Sequence, residues 1–194
     1  MPRTALFVID IQHELAGDPT TQIPHASRII DAASNITLAT RAAIDEQSWE
    51  GVEPDCLIVV VQHEEAPEGG TLLRGSKAWE LVFPPRCGDL NEMLVAKRTG
   101  DTFESNPKLA AELKTKGVTE IIAFGLQSEF CVRSTCRGAL AAGSKVKLLS
   151  GAHSTYDVKE KTAVEIEREI ELELKGEEVV VLDWEEYVDG FKDK

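Results

Sequence analysis

Apolar runs of strand length alternate along this chain with longer helical patterns, and that alternation narrows the possible folds more than any other feature. Ala5 to Ile9, Cys56 to Val61, Glu120 to Phe124, Val146 to Leu149 and Val179 to Leu182 read as strands, with a weaker candidate at Asn91 to Val95. Helical periodicity fills Ala26 to Glu46, Lys108 to Lys116, Arg133 to Ala142 and Val158 to Lys175. The strands are continuously apolar rather than alternating, which is the pattern of a parallel sheet covered by helices on both faces. An α/β architecture follows. At 194 residues the chain can bury one substantial core, and no low-complexity tract or repeat divides it, so a single domain over 1–194 is expected.

Composition excludes several function classes. A formal net charge of −13, from 34 acidic against 21 basic residues, repels phosphate backbones and anionic lipid surfaces, so neither nucleic acid nor membrane is an expected partner. Much of the excess lies around Glu165-Ile166-Glu167-Arg168-Glu169-Ile170-Glu171, which reads as a solvated helix face. The first apolar run is only Ala5 to Ile9, too short for a signal-peptide core or a membrane span, and a cytoplasmic protein is expected. Four cysteines, at 56, 87, 131 and 136, form no CxxC pair and no histidine cluster accompanies them, which argues against a disulfide framework or a zinc site.

In open parallel sheets, ligands bind beyond the carboxyl ends of the strands. The residues there are Asp10 after the first strand, Gln62-His63 after the second, Lys97-Arg98 after the weak one, Gln127 to Cys131 after the fourth, and His153 to Asp157 after the fifth. Cys131 is the key position. Gly125 breaks the preceding strand, and the alanine-rich stretch from Thr135 reads as helix, so the cysteine falls near a helix's first turn, where unpaired amides favour thiolate. Asp10 could take the thiol proton, Lys97 could hold the ion pair, and amides in the turn could bind an oxyanion. Read singly, each residue has another use: Asp10 as a turn or cap residue, Lys97 with Arg98 as a solvated pair, Cys131 as packing.

Taken together, these segments resemble the isochorismatase-like cysteine hydrolase superfamily, which includes nicotinamidases and N-carbamoylsarcosine amidohydrolases. The resemblance spans nearly the whole chain and rests on Ala5-Leu6-Phe7-Val8-Ile9-Asp10-Ile11-Gln12, on Ala96-Lys97-Arg98 followed by Phe103, and on Gly125 to Thr135. It implies a three-layer α/β/α fold around a six-stranded, mainly parallel sheet, and a triad of Asp10 as general base, Lys97 as its charged partner and Cys131 as nucleophile. It also implies a cis peptide between Leu126 and Gln127, an oxyanion hole from the amides of Gln127 and Cys131, and a homo-oligomer, dimer or tetramer.

The chain departs from the nicotinamidase pattern at the second strand, where Gln62-His63-Glu64-Glu65 stands in place of an Asp-x-His metal motif; His13 and His25 have no matching spacing. No metal and no other cofactor is therefore expected. Isochorismatases proper cleave a vinyl ether without a cysteine nucleophile, so Cys131 favours C–N hydrolysis of a small amide, lactam or carbamoyl compound. Vinyl-ether or other non-amide hydrolysis is one alternative; a non-catalytic, redox-responsive or small-molecule-binding oligomer is another. The candidate pocket residues are Gln12, His63, Trp79, Phe103 and His153. The histidines serve either substrate or a rim carbonyl, Trp79 and Phe103 either a pocket wall or packing, and Gln12 either the site or its own loop. Cys136 is assigned to the core.

Overall fold

The computed structural model describes residues 2–192. In chain order they form β1 (Arg3–Ile9), α1 (Ala26–Trp49), β2 (Cys56–His63), β3 (Glu92–Lys97), α2 (Thr102–Ser105), α3 (Leu109–Thr115), β4 (Val118–Leu126), α4 (Arg133–Ala141), β5 (Lys145–Ser154), α5 (Ala163–Lys175), β6 (Val180–Asp183) and α6 (Trp184–Asp189). Single π-helical turns occupy His13–Gly17 and Ser128–Val132. The six strands form one all-parallel sheet in the order β3-β2-β1-β4-β5-β6. Among the described residues, no helix is long and apolar enough to cross a membrane.

Strand periodicity explains the layers. Side chains alternate between faces, so Ala5, Phe7 and Ile9 of β1 join Leu57, Val59 and Val61 of β2 on one side, where α2 to α5 cover them. Leu6 and Val8, with Ile58 and Val60, face the other way onto α1 and α6. Phe103 of α2 stacks on Phe7 of β1 with ring centroids 5.9 Å apart and planes 13° from parallel, which fastens the loop after β3 to the sheet.

Two boundaries differ from the sequence reading by five residues each. The helix expected from Val158 begins at Ala163, because Thr162 and Glu165 form a capping box and residues 158–161 close a tight turn. β5 does not stop at Leu149 but runs to Ser154, passing Gly151 at φ 78° and shifting register against β4 between Ala123 and Gly125. Glycine permits that left-handed step, so what reads as a strand terminator is an internal irregularity. The short α2, capped by the Asp101 carboxylate accepting from the Phe103 amide, has no periodicity long enough to be legible.

Gly125 is where the sheet depends on one residue. It pairs with Ile9 in register and adopts φ 130°, and a β-carbon there would lie 2.1 Å from the Ile9 carbonyl oxygen. Gly125→Ala is expected to cost about 3 kcal/mol or more, whereas Gly51→Ala, at φ 74° but in open space, should cost about 1 kcal/mol. Chemical denaturation of the two variants checks this. Comparable losses would mean that β1 and β4 can separate without penalty.

Candidate active site

Strand order puts the chemistry at one place. The chain runs outward from β1 through β2 to β3, then returns to lay β4 on the other flank of β1, so the connections diverge between β1 and β4. Such a switch point leaves a crevice at the carboxyl ends of the two strands. Asp10 is the residue after β1, and Cys131 lies in the turn that follows β4. Lys97 ends β3, two strands away, in register with His63 of β2. With strands about 4.8 Å apart, only a long side chain can cross β2 to reach Asp10. Arg98, one residue on, points to the opposite side, where it is exposed and pairs with Glu64 at 2.7 Å.

Asp10 sits at φ 50°, in the left-handed region that side chains other than glycine seldom adopt. The kink is held by its amide donating to the Val61 carbonyl at 3.1 Å and its carbonyl accepting from the Gln12 amide at 2.9 Å. It turns the carboxylate to the floor of the crevice, where Asp10 is 1% exposed and Lys97 2%.

The Lys97 ammonium organises the floor. Nζ donates to Cys131 Sγ at 3.0 Å, to the Thr99 carbonyl at 3.1 Å and to His63 Nδ1 at 3.1 Å. Those three bonds use every N–H it has. Asp10 Oδ2 lies 2.7 Å from the same nitrogen, but neither Asp10 oxygen receives a well-directed hydrogen bond, so the contact is ionic and the carboxylate keeps lone pairs free. Burial acts to lower the lysine pKa; Asp10 and Cys131 outweigh it and hold the pKa above its usual value. His63 is driven the other way, first by burial and then by Lys97, so its imidazole is neutral at pH 7. Accepting at Nδ1, it carries its proton on Nε2.

The thiol differs from the sequence expectation. Burial pushes Cys131 up to about 12, the Asp10 carboxylate adds to that, and the Lys97 ammonium only partly offsets it. The resting group is a thiol that needs a base, and burial works against the bias toward thiolate expected near a helix start. The reason is local: Cys131 lies within the π-helical turn rather than at the first turn of a long helix, and it is largely removed from water beside a carboxylate. The Leu126–Gln127 peptide that leads into this turn is cis.

Above the triad opens a cavity of about 460 Å³, lined by Asp10, Cys131, His63, Gln127, Glu14, Glu65 and their neighbours. Of the five pocket candidates, His63 alone is among the lining residues, and four placements need correction. Gln12 is wholly buried: its Nε2 donates to the carbonyls of His63 and Trp79, and its Oε1 accepts from the His63 amide. Trp79 contributes that carbonyl while its indole Nε1 is buried without a partner. Phe103 is spent on the stack with Phe7. His153 lies inside β5 because the strand is longer than it reads; it is fully buried, with Nδ1 2.8 Å from Ser128 Oγ and Nε2 3.4 Å from Glu171. Nor is the acidic helix face wholly solvated, since Glu167 is buried and pairs with Arg28 at 2.6 Å. Cys136 is in the core, as expected, its thiol pushed up to about 12 by burial.

Among the lining residues, sequence reasoning did not single out Glu14 or Glu65, and it reached Tyr156 and Phe130 only within the ranges that follow β5 and β4. Their signal was position: Glu65 and Tyr156 each follow a strand end, and Phe130 directly precedes the cysteine. As for a metal, Asp10, His63 and Cys131 offer ligand atoms within 4.8 Å of one another. The Lys97 ammonium touches all three, however, and so fills the position a cation would take. These residues do not suit a metal ion while Lys97 is charged.

The isochorismatase domain model matches residues 4–169. Streptothricin hydrolase of Streptomyces noursei is 33% identical over 154 residues, which is 79% of this chain and 50% of that protein; the chain thus spans about half the length of this curated relative. A cysteine hydrolase from Pseudomonas syringae pv. phaseolicola superposes with a TM-score of 0.79 at 20% identity, covering 98% of this chain and 93% of that one. The pyrazinamidase of Pyrococcus horikoshii, solved in complex with zinc, gives a TM-score of 0.67 at 21% identity over 94% and 99% of the two chains. At those identities the two structures share the fold. Because the domain match covers most of its length and includes the strand ends that carry Asp10, Lys97 and Cys131, this chain belongs to the isochorismatase family.

Proposed function

We propose that the protein is a metal-independent cysteine hydrolase that cleaves the C–N bond of a small amide, lactam or carbamoyl compound through a thioester. The observation that carries this reading is the meeting of Cys131 Sγ, the Asp10 carboxylate and the Lys97 ammonium on the floor of one cavity. The cavity's volume is in the range that small ligands occupy. A streptothricin hydrolase among the relatives and a pyrazinamidase among the structural neighbours support the amide-hydrolase class of this reading.

In this reading Asp10 accepts the Cys131 thiol proton as Sγ attacks the carbonyl carbon. The free lone pairs of Asp10 make it the acceptor, and Lys97 stabilises the sulfur as it becomes anionic. The carbonyl oxygen becomes an oxyanion, held by the amides of Gln127 and Cys131 in the turn. As the tetrahedral adduct collapses, protonated Asp10 gives its proton to the leaving nitrogen, and ammonia or an amine departs. Asp10 then takes a proton from water, the hydroxide adds to the thioester, and the proton returns to Sγ as the carboxylic product leaves. His63, neutral with its proton on Nε2, is placed to donate to substrate. The raised thiol also weighs against a redox-responsive role, because oxidation starts from the thiolate.

Ammonia or amine release from a panel of primary amides, lactams and carbamoyl compounds, with chelator present, is expected for the wild type and absent in Cys131→Ala. Release that persists in that variant, or that requires added metal, would overturn the mechanism. Asp10→Asn, chosen because asparagine tolerates the left-handed backbone, should reduce turnover about a thousandfold or more. Removing the carboxylate while Lys97 stays should also bring the Cys131 pKa down from about 12. A difference titration of thiolate absorbance against Cys131→Ala reads this directly. A thiol that titrates no lower in Asp10→Asn would show that burial alone keeps it protonated.

A further inference from the structure

The walls of the cavity carry more negative charge than the triad uses. Glu14, from the turn His13–Gly17, and Glu65, just past β2, line it together with Asp10. No arginine and no lysine lines it. Elsewhere in the molecule comparable carboxylates are matched: Glu92 by Arg41 and Arg86, Glu167 by Arg28, Glu64 by Arg98. Glu14 and Glu65 have no ion-pair partner among the described residues. Lys97 cannot serve them, since its three N–H groups are committed to Cys131, Thr99 and His63.

Both carboxylates are placed to act on what enters. Glu65 Oε2 accepts from the Leu72 amide at 2.9 Å, which fixes the side chain, and its charge favours the protonated form of His63, two residues back at the end of β2. Glu14 lies close enough to Tyr156 that, after burial, its charge is what raises the phenol pKa. Independently, Asp10 faces the same space nine-tenths or more buried, with no directed hydrogen bond to either oxygen. Three carboxylates thus surround a small cavity against the one ammonium beneath it. An anionic ligand would be repelled there, and a neutral one would leave two partly desolvated carboxylates uncompensated.

We propose that the substrate of this cavity is cationic: an amide, lactam or carbamoyl compound with an ammonium or guanidinium group held by Glu14 and Glu65 while its carbonyl faces Cys131. The aromatic rings of Tyr156 and Phe130 among the lining residues suit such a group. This assignment rests on the hydrolase reading for its chemistry and on the carboxylates for its charge, and the two can be tested apart.

The first measurement needs no turnover. In a Cys87→Ser background, which removes the one exposed thiol, Cys131 is modified with cationic and with anionic methanethiosulfonates of matched size. Each rate is divided by that for a free small thiol, with the product located by mass spectrometry. The cationic reagent is expected to be preferred by about tenfold at low ionic strength, with the preference shrinking as salt is added. It should also shrink in the Glu14→Gln/Glu65→Gln variant. Equal rates, an anionic preference, or a cationic preference that survives in the double variant would overturn the proposal.

The second measurement compares kcat/KM for amides that share an acyl group and differ only in carrying a cationic, neutral or anionic substituent. Charge-blind hydrolysis would overturn cation recognition and leave the hydrolase reading intact. Charge-selective modification of Cys131 without hydrolysis of any amide would do the reverse.

Discussion

An ammonium taken out of water loses several kcal/mol of hydration unless the protein replaces it, and the Lys97 side chain is fully buried. The replacement is complete here: three hydrogen bonds and one ionic contact, to groups from β1, β2, the loop after β3 and the turn after β4. Each of those segments therefore has its position set by a common centre. The same centre divides the labour among the side chains. Because the directed bonds go to sulfur, imidazole and a carbonyl, Asp10 keeps an ionic contact with its lone pairs free. His63 is held neutral by its burial and then by the ammonium beside it. A metal ion at this point would compete with the ammonium for the same acceptors.

Behind the turn that carries Cys131 lies a second polar network with no access to the cavity. Ser128, the residue after the cis peptide, meets His153; His153 approaches Glu171, and Glu171 accepts from Ser150. Alongside it Glu167 accepts from Ser154 and pairs with Arg28, which also reaches the Gly151 carbonyl. These contacts fasten α5 and α1 to β5 and brace the turn from the rear. Polar groups buried at this depth cost free energy unless they are paired, so the network specifies one packing of the turn rather than adding much stability.

The strand ends were legible because they follow from backbone topology. A continuously apolar strand in a parallel sheet has few alternatives, and the residue after it must face the crevice edge, which is how Asp10, Lys97 and Cys131 could be brought together without coordinates. The walls were not legible, because they depend on where individual side chains point. His153 was misplaced by one glycine, since Gly151 reads as a stop and acts as a bend within β5. Phe103 was left open between pocket wall and packing, and a short capped helix settles it by turning the ring back onto Phe7. How strongly the thiol is held protonated was not legible either: the sequence shows proximity to a helix start, while burial beside a carboxylate is a property of the assembled site.

Gln12 joins the part that was legible to the part that was not. It stands two residues beyond Asp10 and two before Glu14, and its buried amide spans to the His63 and Trp79 main chain with three hydrogen bonds. Gln62 adds a fourth contact to the Trp79 carbonyl, and the Gln12 backbone bridges to Leu81. The loop after β1, the end of β2 and the segment near Trp79 are thereby held as one piece. Glu14 and Glu65 lie on the segments that this clamp joins, and both line the cavity with Asp10 and Cys131. Loops ordinarily vary most where they meet ligand. Here the segments that carry Glu14 and Glu65 are tied to the strand ends of Asp10 and His63 by a buried glutamine, and changing one without disturbing the other requires substitutions that keep that amide in place.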